Sequence, residues 1–373
     1  MKESLLKFLD KILIITSEFP PGPGGIGNHS YNLAKNLAEK GLDISVLVIS
    51  KYLFPDDKFY ENCSFQVIKI QNNNVIRYFK LLFHITKYIL INRKVKFIIS
   101  GHLPVILFGN IFRFYSKDII GIIHGHEILM GGKIIKFFTK KSLLKMDTLI
   151  AVSKFSKDKV LEAFNHPKIE IIRNGFDKKR FEGLVSKENL NMKNINLITV
   201  GSVSKRKGQR NVIKALPTLK LKYPSIKYHM IGNINIKNEI KTLVTELKVE
   251  ENVKFHGYLN DEKLSYLMNH ATIFVMLSEN LLNGEVEGFG ISILEANHFG
   301  LPVIGSQKCG IEDAVKDRYS GILVDNKDIN HFVNAIDEII NDYEKYVGRA
   351  KHWSKKFHWE DVIDNYINLI DTQ

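Results

Sequence analysis

Two cysteines, Cys63 and Cys309, are all the chain holds. They exclude a disulfide framework and a cysteine-rich metal site, and they fit a reducing compartment. No run of 18 apolar residues occurs, so no membrane-spanning helix is expected. The first residues, Met1-Lys2-Glu3-Ser4, carry Glu3 and then Asp10, with no small-residue cleavage site, so no signal peptide is expected. No nucleic-acid motif is found, nor a strand mixing basic and stacking aromatic residues, so nucleic acid is not an expected partner. No His/Cys/Asp/Glu grouping has metal-ligand spacing, and neither a metal nor a cofactor is expected.

What is present is 373 residues with 45% hydrophobic content, enough for two globular domains of ordinary size. The net charge of +13 is unevenly placed. Residues 1–173 hold 26 Lys and Arg against 14 Asp and Glu; the remainder holds 27 against 26. The excess in the first half predicts an anionic partner.

In that half, the apolar run Lys11–Thr16 predicts a first strand. The loop Ser17 to Gly27 is rich in Gly and Pro, and a helix is expected from about Asn28 to Lys40, ended by Gly41. Leu42 to Ile49 is the next strand. This is a βαβ unit with a glycine-rich first turn, although strict G-x-G-x-x-G spacing is absent. Short apolar strands at 65–70, 96–100, 119–123, 147–152 and 169–172 alternate with helical stretches and predict a doubly wound parallel sheet. Ligands on such sheets bind beyond the strands' carboxyl ends. His124-Gly125-His126-Glu127 follows one such end. A histidine there suits a sugar hydroxyl or a polarised carbonyl, or is simply a loop residue. Residues 77–90 and 133–145 read as basic amphipathic helices, suited to an anionic membrane surface or equally to a solvated basic face.

The stretch 178–194 is polar and reads as a linker. A second alternation begins at Asn196 and continues through strands near 226–231, 253–257, 272–276, 302–305 and 322–324, a second Rossmann-like domain. Directly after its first strand come Lys205, Arg206, Lys207 and Gly208, cations ahead of a helix N-terminus, a combination that suits a diphosphate or equally a solvated basic loop. Glu287-Gly288-Phe289-Gly290-Ile291 precedes a helix that carries Glu295 and ends at Gly300-Leu301-Pro302. Two acids at a helix start also serve merely as dipole and surface groups. Trp353 and Trp359 are the only tryptophans, and the last amphipathic segment, about 357–373, is expected to pack back on the first domain.

Taken in order, Pro21–Gly27, the turn Ile171–Asp177, Val200-Gly201 through Lys207-Gly208, Glu287 through Glu295 and Gly321–Val324 resemble the GT-B-fold retaining glycosyltransferases of family four (group 1), over nearly the whole chain. The resemblance implies an α/β architecture of two Rossmann-like doubly wound domains facing across a cleft. Residues 1–177 form an acceptor-binding domain in this reading, and 195–356 a nucleotide-sugar-binding domain. It implies a UDP- or GDP-linked donor and a saccharide or lipid-linked acceptor, in surface polysaccharide or lipopolysaccharide assembly at the cytoplasmic face of a membrane. By position, Lys207 with Arg206 binds the donor diphosphate, and Glu295 accepts hydrogen bonds from the ribose. Glu287 contacts the transferred sugar, while the amides of Phe289, Gly290 and Ile291 line its other side. Gly25 and Gly27 approach the diphosphate, and His124 contacts the sugar near the reacting carbon. Ser202 stands where the family usually has arginine. A sugar-nucleotide epimerase on the same scaffold, and a catalytically inactive sugar-nucleotide-binding protein, are the alternatives.

Overall fold

The computed structural model describes residues 11–371 except 23, 51–57, 72–75, 92–94, 112–117, 187–193 and 235. It divides into two compact units, Met1–Asn174 with Trp359–Gln373, and Gly175–His358.

The first unit is a seven-stranded parallel sheet in the order β3-β2-β1-β4-β5-β6-β7. The strands are β1 (Lys11–Thr16), β2 (Ile44–Ser50), β3 (Gln66–Gln71), β4 (Val95–Ser100), β5 (Ile119–Ile123), β6 (Thr148–Ala151) and β7 (Ile169–Ile171). Between them run α1 (Gly25–Glu39), α2 (Lys58–Glu61), α3 (Ile76–Ile91), α4 (His102–Ile111), α5 (Lys133–Leu143) and α6 (Lys154–Ala163). β5 is buried at every position, as expected of a parallel strand covered on both faces.

α1 begins at Gly25, three residues before the expected start at Asn28. Gly24, with φ of 148°, turns the chain directly into the helix, and its carbonyl accepts from the Asn28 amide at 3.1 Å. Gly25 and Gly27 therefore belong to the first helical turn and not to a loop. A Cβ on Gly27 would lie 3.0 Å from the Phe19 nitrogen, so the helix starts hard against the chain leaving β1. Gly25 has open space on that side.

The second unit holds β8 (Asn196–Val200), β9 (Lys227–Ile231), β10 (Val253–Gly257), β11 (Ile273–Met276), β12 (Val303–Ser306) and β13 (Gly321–Val324). They form a parallel sheet in the order β10-β9-β8-β11-β12-β13. Its helices are α7 (Gln209–Lys222), α8 (Lys237–Glu246), α9 (Asp261–His270), α10 (Ile291–His298), α11 (Ile311–Ala314), α12 (Ile329–Asn341) and α13 (Tyr343–Ser354). The unit starts earlier than the expected 195. A 3-10 turn, Lys178–Phe181, follows Phe176, and both phenylalanines are 1% exposed. Phe181 packs edge-on against Phe299 at 5.1 Å, and Phe176 packs on His298 at 5.3 Å. The start of the expected linker is thus docked by aromatic burial; residues 187–193 of it lie outside the described residues.

The last helix, α14 (Trp359–Asp371), belongs to the first unit and lies on α1. Its buried residues, Trp359, Val362, Ile363, Tyr366, Leu369 and Ile370, recur at helical spacing, which gives one apolar face. Lys96 Nζ donates to the Ile370 carbonyl at 2.6 Å.

Candidate active site

In both sheets the chain changes direction of winding at the first strand. This switch point lies between β1 and β4 in one unit and between β8 and β11 in the other. The carboxyl ends flanking a switch point are where doubly wound sheets hold ligands. The residues of interest in each unit sit there.

In the second unit, β8 leads into Gly201–Gly208. Gly208 caps α7 with φ of 72°, and a Cβ there would collide with the Leu277 carbonyl. The loop is therefore pressed against the chain leaving β11. The Glu279 amide donates to the Arg206 carbonyl at 2.8 Å, and Asn211 Nδ2 donates to Glu279 Oε1 at 2.7 Å. Glu279 thereby braces the cationic loop.

Arg206 and Lys207 both converge on Glu287 Oε2, Lys207 Nζ at 2.7 Å and Arg206 Nη1 beside it. Lys205, the third cation of the sequence run, points elsewhere, toward Glu239 at 3.5 Å. Burial alone would raise the Glu287 carboxyl; Lys207 and Arg206 outweigh it and hold the group at about 2. Burial pushes the Lys207 ammonium below its usual value, against the pull of Glu287. The Glu287 loop is pinned by the Gly310 amide, which donates to the Glu287 carbonyl at 2.9 Å.

Gly290, at φ of 94°, caps α10, so Ile291 opens the helix and its first amides lie just past Glu287. Phe289 is 2% exposed and packs on Phe357, which fixes the approach to that N-terminus. Ser292 Oγ donates to the Val200 carbonyl at 3.1 Å and ties α10 to the end of β8. Ser202 is held through its carbonyl, which accepts from Gln209 Nε2 at 3.1 Å. A cavity of about 260 Å³ lies at the ends of β11, β12 and β13; Ser278, Glu279, Lys308 and Asn326 are among its lining.

Glu295 is one turn further along α10, 6% exposed, and its partner is a residue the sequence reading did not single out. Arg180 Nη1 donates to Glu295 Oε1 at 2.9 Å, while Arg180 Nε donates to Asp261 Oδ1 at 2.8 Å. The two glutamates of the motif thus have separate cations, two from the loop after β8 for Glu287 and one from the 3-10 turn for Glu295.

In the first unit His124 follows β5 and is 7% exposed. Its Nε2 shares a hydrogen bond of 2.9 Å with Ser100 Oγ at the end of β4. Its ring lies 5.2 Å from that of His29, whose Nε2 is 2.9 Å from Tyr366 Oη. Burial pushes both imidazoles down to about 3, so both are neutral at ordinary pH. Glu127, fully buried, accepts from the amides of His124 and Gly125 at 3.0 and 2.9 Å. Burial would raise its carboxyl, but His126, His124 and the backbone amides of Glu127 and His124 hold it below the usual range. Gly25 lies at the start of α1 in the same unit.

Among the described residues, no group of three His, Cys, Asp or Glu side chains is placed to hold a metal ion. His256, at the end of β10, has Nε2 2.9 Å from His229 Nδ1, with the rings stacked.

Two parallel-sheet Rossmann-like units, with paired cations and a helix N-terminus at one switch point, define a glycosyltransferase of GT-B architecture. The chain belongs to the group 1 glycosyltransferases of family four. The model for glycosyl transferases group 1 matches residues 181–356, and that for Glycosyltransferase Family 4 matches 23–180. One relative is the GDP-mannose-dependent monoacylated alpha-(1-6)-phosphatidylinositol monomannoside mannosyltransferase of Corynebacterium glutamicum. It is 25% identical over 385 residues, covering 97% of this chain and 98% of the relative. Among solved structures, Anabaena Alr3699/HepE in complex with UDP and glucose is similar at a TM-score of 0.77 and 19% identity, covering 98% of this chain and 100% of that one. The lipopolysaccharide outer core galactosyltransferase WaaB in its apo form matches at a TM-score of 0.74 and 16% identity, covering 97% and 99%.

Proposed function

We propose that this glycosyltransferase moves a sugar, with retention of configuration and without a metal, from a UDP- or GDP-linked donor to a saccharide or lipid-linked acceptor in surface polysaccharide or lipopolysaccharide assembly. The observation that carries this reading is the convergence of Arg206 and Lys207 beside the N-terminus of α10. Leaving of a nucleoside diphosphate builds negative charge on phosphate oxygens. Two cations and oriented amides, fixed before the reaction, stabilise that charge without reorganising. Glu287 takes the transferred sugar, Glu295 the ribose, and the amides of Phe289, Gly290 and Ile291 the far side of the donor. His124 is a neutral hydrogen-bonding group for a sugar hydroxyl. Gly25, open on its Cβ side, leaves room for a phosphate group at the start of α1, whereas Gly27 is explained by its packing on Phe19.

Retention proceeds here by same-face attack within an ion pair: the bond from the anomeric carbon to the diphosphate breaks, and the acceptor oxygen bonds to the face it left. The departing phosphate oxygen takes the acceptor proton. No enzymic nucleophile is needed. A screen of nucleotide sugars for thermal stabilisation identifies the donor, and product stereochemistry by NMR tests retention. Lys207→Ala is expected to weaken binding of the matching nucleoside diphosphate roughly ten- to a hundred-fold. Unchanged affinity and turnover refute the assignment, and a covalent sugar adduct on Glu287 would sink the same-face route.

The proposal extends to contact with an anionic membrane surface. The support is α5: Ile134 is 74% exposed and Phe137 61%, next to the exposed Lys136, Lys140 and Lys141. Apolar side chains flanked by ammonium groups suit the boundary between headgroups and acyl chains. α3 adds the exposed Phe83, Lys87 and Leu90, while the side chains of Arg77 and Lys80 lie outside the described residues. No helix among the described residues is long and apolar enough to cross a membrane. Flotation with anionic vesicles at low salt tests this reading, and no binding removes it.

A further inference from the structure

We propose that Arg180 is a positioning residue for donor binding: it fixes the buried Glu295 carboxylate so that one oxygen is presented to the donor ribose. The proposal rests on the reading of Glu295 as the ribose acceptor.

Three elements meet at this point. The 3-10 turn Lys178–Phe181 carries Arg180, α9 begins with Asp261, and α10 carries Glu295. Arg180 uses its fork across two acids: Nε and Nη2 on Asp261 Oδ1, and Nη1 on Glu295 Oε1. Two fork nitrogens donating to the one Asp261 oxygen set the plane of the guanidinium and hence the direction from which it holds Glu295. The turn is in turn fixed by Phe181, which lies under the guanidinium at 4.9 Å and packs on Phe299. Glu295 Oε1 is committed to Arg180, whereas Oε2 takes no hydrogen bond among the described residues.

Position is only part of the effect. Glu295 is buried, and burial raises its carboxyl above the ordinary value; Arg180 is what opposes that, and Asp261 adds to the raise. Tyr258 is the other titratable group near the guanidinium. Without Arg180, desolvation and Asp261 act unopposed, and Glu295 keeps its proton to higher pH. A protonated carboxyl is a poorer acceptor for two ribose hydroxyls. The loss caused by removing Arg180 is therefore pH-dependent and confined to ligands with ribose hydroxyls. A turn that merely staples the fold together produces neither signature.

The experiment uses the full chain and titration calorimetry with UDP and GDP, each beside its 2′,3′-dideoxy counterpart, between pH 6 and 9. Glu295→Gln tests the underlying reading: it is expected to weaken the ribonucleotide about ten-fold or more and to leave the dideoxy compound unchanged. Arg180→Ala is expected to reproduce that selective loss at the acid end of the range and to recover affinity as pH rises, with a midpoint above the wild type's. Arg180→Lys keeps the charge without the fork and is expected to fall between the two, which covers the event that the alanine variant misfolds. Equal loss for both ligands, no loss, or a selective loss that ignores pH overturns the role of Arg180 while Glu295→Gln stays selective. If Glu295→Gln itself shows no selectivity, the ribose reading fails and the proposal fails with it.

Discussion

Glu287→Gln separates binding of the leaving group from transfer of the sugar. In the ligand-free protein Glu287 is the anion that Arg206 and Lys207 hold. A fall of its carboxyl from 4.5 to about 2 corresponds to about 3 kcal/mol of preference for the ionised form. A donor diphosphate seated on the same cations competes with that carboxylate for them. Removing the charge but not the shape leaves two cations, one of them 12% exposed, without their counter-ion. Two consequences are expected. The variant is destabilised by roughly 3 kcal/mol, the cost of breaking a buried pair from one side. Its affinity for the free nucleoside diphosphate rises about ten-fold, since part of that energy is recovered on binding an anion. Sugar transfer nevertheless falls by about a hundred-fold or more, because the proposed sugar contact is altered. Calorimetry with UDP and GDP measures the second effect, thermal unfolding with and without the nucleotide the first, and single-turnover transfer the third. In the wild type the stabilising pair is fully present above about pH 4.5 and is lost as pH falls toward about 2, so Glu287 itself does not titrate near neutrality. Weaker nucleotide binding by Glu287→Gln refutes the competition and makes Glu287 a brace for the cations instead.

Three further outcomes are expected. His29 and His124, each held neutral by burial at about 3, bind protons more readily when the chain unfolds. Stability is therefore full above about pH 6.5 and falls as pH drops, by roughly 2 kcal/mol per imidazole at pH 5; urea unfolding at pH 7 and 5 measures it, and His29→Phe shrinks the difference. Gly208→Ala forces a left-handed residue against the Leu277 carbonyl, which costs about 2 kcal/mol or more and lowers the melting temperature, while displacement of Lys207 weakens UDP or GDP binding. Phe137→Glu, at a position 61% exposed, leaves stability within about 0.5 kcal/mol and abolishes flotation with anionic vesicles. Retained flotation removes α5 from the membrane contact.

The strands were legible because a parallel strand buried on both faces is a short apolar run with no polar alternation. Ile119–Ile123, buried at every position, has the bounds expected of it. The start of α1 was not, because three glycines around one isoleucine read as loop, whereas here they let a helix begin against a backbone. Glu287, Arg206 and Lys207 were legible through the motifs that bracket two sheet ends. Their mutual pairing is a matter of packing between a loop and residues 80 positions away. Arg180 was invisible for a plainer reason. It sits among Lys178, Lys179 and Glu182, in a stretch whose polarity reads as linker, and its partners lie 81 and 115 residues downstream. The one local hint is Phe181, a large apolar residue that a solvated linker has no reason to contain. Glu127 offered a comparable hint, an acid shortly after a glycine at a strand end, but its capture by two backbone amides needs the turn to be seen.

The two switch points share one topology and differ in chemistry, which places function in the loops and not in the sheet. At the ends of β8 and β11, two cations and a helix N-terminus present fixed positive charge, and the carboxylate that answers them belongs to the same loop system. Around the ends of β4 and β5, Ser100 and the neutral imidazole of His124 meet the neutral imidazole of His29 from α1, and Glu127 is turned inward onto amides. The second set offers directional donors and acceptors with almost no net charge. Such a set discriminates hydroxyl geometry but gains little from a phosphate. The first set gains most from a phosphate. Substitutions near His124 are therefore expected to change which sugar is processed, whereas those near Lys207 change how tightly any nucleoside diphosphate is held.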